Sequence, residues 1–162
     1  MPQAGGVVPG LRFWRKTLEE PGMEPADTLR NMDNYVAKHD KLVRHLQMQV
    51  EVATPEFSRV IMPISEHHKN GMGVAHGGAI FALADVAFGA AANAGRSTGV
   101  VSLTSSIEFL NPGRVSPLVG EARLVRAGRH VVSYDVRILD AEGALVARAV
   151  STGFVTDTPL PA

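Results

Sequence analysis

Between residues 46 and 53, LQMQVEVA, the apolar side chains of Leu46, Met48, Val50 and Val52 alternate with Gln47, Gln49, Glu51 and Ala53. A period of two predicts a half-buried strand. Thr54-Pro55-Glu56 then reads as a turn and 57–64 as the second strand of a hairpin. The polar stretch SEHHKNGMG leaves the sheet. The pattern changes completely after it. From Ala79 to Ala92 the only polar side chain is Asp85. A segment apolar nearly all round predicts a long buried helix over about 76–94, ended by Asn93 and Gly95. Four strands follow, over about 100–110, 118–126, 130–139 and 144–155, with turns at Asn111-Pro112-Gly113, Ala127-Gly128-Arg129 and Asp140 to Gly143. Consecutive hairpins would make them an antiparallel meander. Upstream, Asp27 or Thr28 is placed to cap a helix running to Lys38, with another short turn at 40–44. The chain divides into a flexible extension (1–26), a helical segment (27–45), a domain (46–156) and a tail (157–162). Phe13 and Trp14 are expected to dock on the body or on a neighbouring subunit. Hairpin, helix, then strands is an α+β order, and the helix flank and sheet edges it leaves open are what dimerisation would cover.

Composition adds mainly exclusions. The chain has 162 residues, room for one domain, and Lys+Arg and Asp+Glu balance at 16 each. No global field favours nucleic acid or an anionic membrane. The absence of cysteine removes disulfides, thiolate zinc sites and cysteine nucleophiles, and fits a reducing, cytoplasmic setting. No charge-free apolar run reaches the roughly 18 residues that span a bilayer, because Asp85 interrupts the longest candidate. His67, His68 and His76 lack a carboxylate or cysteine to complete a ligand set, so no metal is expected.

The motif Asn-x-x-Gly-x-x-His-Gly-Gly followed by Leu-Ala-Asp stands here as Asn70, Gly73, His76, Gly77, Gly78 and Leu83-Ala84-Asp85. With the IEFLNPG segment and the Gly128-Arg129 turn, it resembles the hotdog-fold acyl-CoA thioesterases of the phenylacetic-acid-degradation type over about 46–155. Before Gly120, the loop VSP departs from the family's usual pattern. The resemblance implies an antiparallel sheet of five to six strands wrapped round a long central helix, dimers with a continuous sheet, and usually tetramers. It also implies hydrolysis of an acyl-CoA thioester without metal or redox cofactor.

The residues themselves support such a site. The first N–H groups of a helix lack internal partners and carry its positive end, and Gly77 and Gly78 would let a carbonyl reach them. Asp85, as nucleophile or general base, lies eight positions after Gly77. At 1.5 Å per residue that is about 12 Å along one helix, whereas both groups must sit about 3 Å from one reacting carbon. Two antiparallel helices across a two-fold axis resolve this: Gly77 of one subunit meets Asp85 of the other. Asn70 could orient water or the thioester, or simply shape an Asn-Gly turn; His76 could bond the thioester region or hold the loop. Strand alternation places Ser102, Thr104 and Ser106 on one face. By the resemblance, Ser102 is the first choice to position water beside Asp85, and Thr104 the second. Phe81, Phe88 and Met72 are candidates to shape an acyl pocket for aromatic or medium-chain groups. Arg126 and Arg129, with Arg114, Lys69 and Arg96, could form a cationic rim for the coenzyme A phosphates. No Gly-x-Ser-x-Gly elbow is present. The rivals are a hotdog-fold hydratase or dehydratase and a non-catalytic acyl-CoA-binding protein.

Overall fold

The computed structural model describes residues 34–161; Phe13, Trp14 and the expected cap at Asp27 or Thr28 lie outside them. The first described helix, α1 (Tyr35–His39), is capped by Asn34, whose Oδ1 accepts from Val36 N–H at 3.1 Å and Ala37 N–H at 3.3 Å. Asn34 itself is extended, so this helix starts there. Asp40 ends α1 and caps α2 (Lys41–His45). After α2 the chain turns through Gln47 at φ 52, with Met48 N–H donating to Val43 O at 2.8 Å and Gln47 N–H to Arg44 O at 3.1 Å. That pair of bonds is a Schellman stop.

Strands β1 (Gln49–Ala53) and β2 (Phe57–Met62) form the expected hairpin. A 3₁₀ turn, Glu66–His68, leads to the main helix α3 (Gly77–Ala92), then β3 (Thr98–Phe109), β4 (Leu118–Ala127), β5 (Val131–Leu139) and β6 (Leu145–Pro159). The six strands form one antiparallel sheet in the order β1-β2-β4-β5-β6-β3. The meander expectation is therefore corrected. Asn111-Pro112-Gly113 does not close a hairpin; β3 crosses to the far edge and pairs with β6. The last strand also continues through Thr158 and Pro159, inside what reads in sequence as a tail.

Helix α3 packs mainly on β2, β4 and β5. Its Leu83, Ala84, Ala87, Ala90 and Ala91 are wholly buried. The small size of the alanines lets the helix approach closely, and Ser58 Oγ reaches across to donate to Ala87 O at 2.6 Å. Phe88 fills the centre, edge-on to Tyr134 at 5.5 Å between centroids. Gly153 on β6 makes room for it: a Cβ there would stand 2.7 Å from Phe88 Cζ and 2.7 Å from Val100 Cγ1. Tyr134 is 1% exposed and donates its hydroxyl to Pro55 O at 2.7 Å. Burial pushes its phenol up from 10.0 to about 12, against the lowering pull of Arg96 and with a smaller push from Glu56.

This core can be probed at two points. Gly153→Ala overpacks Phe88 and Val100 and should destabilise the fold by about 1–3 kcal/mol, read as a lower urea midpoint at unchanged slope. Because the fold prefers the neutral Tyr134 phenol, its contribution is complete below pH 10.0 and is lost as pH rises through about 12. Stability should fall across that window, and less steeply in Tyr134→Phe, when unfolding is measured as a function of pH.

Candidate active site

The loop entering α3 is held by the backbone and by two side chains. Asn70 Oδ1 accepts from Met72 N–H at 2.9 Å and Val74 N–H at 3.4 Å, closing a turn through Gly73 at φ 75. His68, 2% exposed, is its anchor post. Its Nδ1 takes the Ser65 N–H at 3.1 Å, so Nε2 carries the proton and donates to Leu46 O at 2.9 Å. Ser65 Oγ lies 2.8 Å from the same Nδ1. The His68 carbonyl in turn accepts from His76 N–H at 2.7 Å. Among the described residues no group of His, Cys, Asp or Glu is arranged to hold a metal ion.

His76 is the N-cap of α3. Its Nδ1 accepts from Gly78 N–H at 2.8 Å, which assigns the remaining ring proton to Nε2, on an exposed side chain. Among the described residues the Gly77 N–H makes no hydrogen bond. The cap thus satisfies the second amide of the helix and leaves the first one for a visitor. Phe109, which sequence reasoning does not single out, flanks this spot: its ring carbons lie 3.5 Å from where a Gly77 Cβ would be. The signal is present in the IEFLNPG segment, but only the β3 crossover brings it to the helix start.

Asp85 is exposed in the single chain, not buried as the apolar helix suggests. The sheet covers one side of α3 and leaves a stripe of Gly78, Phe81 and Asp85 uncovered. The carboxylate is held by Ser102, whose Oγ donates to Oδ1 at 3.0 Å. The expectation for β3 needs one correction. The register shifts between Ser102 and Thr104, with Leu103 as an extra residue. Beyond the bulge the alternation is reset. Ser105 faces the helix side with buried Ser151, their hydroxyls 2.8 Å apart, while Thr104 faces outward and meets Thr152 at 2.8 Å. Thr104 and Ser106 are therefore on the opposite face from Ser102, and Thr104 does not reach Asp85.

Phe88 is a further correction, since it is 1% exposed in the core and lines no open surface. Phe81 and Met72, 37% and 80% exposed, remain available beside the helix start. Arg126 pairs by register with Ser133 on the outer face of the sheet, and Arg129 sits at the tip of the β4–β5 hairpin, where Gly128 N–H donates to Val131 O at 2.8 Å. Both are exposed. The structure brings Asp85 and Ser102 together, and His76, Gly77 and Gly78 together, at separate points of one helix.

Residues 72–147 match the thioesterase superfamily. A phenylacetic acid degradation protein PaaI from Thermus thermophilus, solved as a point mutant, is 31% identical, with a TM-score of 0.65 over 71% of this chain and 98% of that one. The chain belongs to the thioesterase superfamily. This hotdog-fold thioester hydrolase is also 29% identical to the acyl-coenzyme A thioesterase PaaI of Escherichia coli K12, over 68% of this chain and 79% of the relative. The structure of the E. coli PaaI protein superposes with a TM-score of 0.75 over 83% of the thioesterase and 99% of PaaI, at 24% identity.

Gly77→Ala tests the open amide. The added methyl meets only ring carbons of Phe109 at ordinary contact distance, so the fold should hold, with Tm nearly unchanged. The methyl crowds the approach to the N–H, and kcat should fall about 10²-fold, the scale of losing one oxyanion donor. Parallel thermal melts and turnover assays check both halves.

Proposed function

We propose that this thioesterase hydrolyses an aromatic or medium-chain acyl-CoA to the free acid and CoA, at sites completed by two subunits. The observation that carries the reading is the pairing of Ser102 with the Asp85 carboxylate on the uncovered stripe of α3. Asp85 either attacks the thioester carbonyl to give a mixed anhydride, or takes a proton from the attacking water. Either route creates an oxyanion, and the Gly77 N–H at the positive end of a helix is suited to receive it. Gly77 and Asp85 of one chain are about 12 Å apart along the axis, so each carboxylate works with the helix start of the other subunit.

The free edge of β3 supports that arrangement. Among the described residues it is a twelve-residue strand bonded on one side only, with Val101 and Leu103 both more than half exposed. Antiparallel pairing of two such edges across a two-fold axis would continue the sheet and set the two helices side by side. His76 Nε2–H is placed to bond the thioester region, and Asn70 to hold the loop that presents it. Phe81, Phe109 and Met72 supply apolar surface near the helix start for the acyl group. Arg126 and Arg129 stay candidates for the phosphates, reached from a neighbouring subunit. Tetramers built from two such dimers, and action in the cytoplasm, belong to the same reading. Among the described residues no helix is long and apolar enough to cross a membrane.

Release of free thiol from a panel of acyl-CoAs tests the chemistry. Wild type should turn over, and Asp85→Asn should lose at least about 10³-fold in kcat while keeping its fold and dimer. Mixing Asp85→Asn with Gly77→Ala chains separates the subunit question. One site of the mixed dimer then keeps both native groups, so activity should return. No recovery, with mixed dimers present, would sink the two-subunit site; tight binding without turnover in wild type would favour a binding protein.

A further inference from the structure

A cavity of about 580 Å³ opens at the other end of α3, between α1, the β1–β2 turn and the end of β6. It is not where Gly77 and Asp85 lie. Its wall includes Lys38, His39 and Arg96, together with Tyr35, Pro55 and Leu160, and among the described residues no Asp or Glu. Asp40, adjacent in sequence to His39, turns its carboxylate onto Leu42 N–H and Val43 N–H at 2.8 and 3.3 Å. We propose that this cavity binds a small organic phosphate, with Arg96 as its principal anion contact and the ring pair of Tyr35 and His39 as a platform for the organic part. The proposal does not rest on the thioesterase reading.

Three observations favour an anion. First, Arg96 is pre-oriented: its Nε donates to Ala92 O at 2.8 Å, and among the described residues its two Nη groups have no partner. A guanidinium fixed by one edge presents its remaining donors in the planar fork that suits phosphate. Second, the negative end of the helix is already answered. Arg96 occupies the Ala92 carbonyl, and Asn93 Nδ2 donates to Gly89 O at 3.0 Å. Against roughly half a negative charge from the helix end stands the full positive charge of the Arg96 guanidinium. Third, the Tyr35 and His39 rings stack at 5.1 Å between centroids and 25° between planes, a stiff aromatic surface beside the charges. A volume of about 580 Å³ is in the range of small-molecule pockets and suits a nucleotide-sized ligand better than a bare ion.

The test is titration of the full-length wild-type chain with adenosine monophosphate, read by calorimetry and amide shifts. Saturable binding is expected, with shifts confined to residues 35–39, 53–56 and 93–97. Adenosine, which lacks the phosphate, should bind at least about tenfold more weakly, as should AMP to Arg96→Gln, on the scale of a lost charge-assisted pair. Lys38→Gln should weaken AMP by a smaller factor and leave thioester turnover unchanged. The proposal is overturned if AMP does not saturate, if adenosine binds as well as AMP, or if the shifts fall around Gly77 and Asp85. Arg96→Gln also gives up the bond to Ala92, so Arg96→Lys serves as a second variant: retained charge without the fork should bind between wild type and Gln, and equal binding by all three would refute the role of Arg96.

Discussion

The depth to which α3 sinks into the sheet governs everything else in this molecule. Ala84, Ala87 and Ala91 leave no side-chain bulk between helix and strands, and the Ser58 hydroxyl fixes the spacing by bonding directly to the Ala87 carbonyl. Gly153 yields the volume that Phe88 occupies. A helix held so closely cannot roll about its axis without clashes on several strands at once. The stripe left outside is therefore fixed as well, and it carries Gly78, Phe81 and Asp85.

That rigidity has a chemical cost, and the fold places it at the site. One straight helix cannot bring its own first amide to a carboxylate two turns further on. On the two-subunit reading, the second copy supplies what stiffness forbids within one. The cap at His76 contributes by being selective. It ties up the Gly78 amide and leaves the Gly77 amide open, so the helix start is both stably capped and able to receive a developing charge. Holding such a donor in place before the substrate arrives is what gives a backbone amide its leverage on a transition state.

How much of this the sequence discloses depends on whether the cause is local. The period of two in 46–62 and the apolar run after His76 are local signals, and the hairpin and the helix follow from them. The motif residues Asn70, His76, Gly77 and Asp85 are legible for the same reason. The β3 crossover is not, because the choice of β6 over β4 as its partner is made at long range. Phe81 and Phe88 show the limit of periodicity most clearly. Seven residues apart, they differ by only about 20° round the helix, yet one is exposed and the other sits in the core. The sheet covers the one and leaves the other outside. Asp85 reads as buried for a related reason: a lone polar residue in an apolar run is located by what covers it, which the run does not record.

The single extra residue at Leu103 makes β3 two strands in one. Before it, the inward position is Ser102 against the carboxylate; after it, the inward positions are Ser105, Ile107 and Phe109. The inward and outward series are out of phase, so a change of side chain on the inner face leaves the Thr104–Thr152 contact on the outer face untouched. A change of length acts differently. Loss of one residue here would restore simple alternation and turn Ser102 away from Asp85 or Phe109 away from the helix start. Along this strand the count of residues, and not only their identity, holds Ser102 to Asp85 and Phe109 to the helix start.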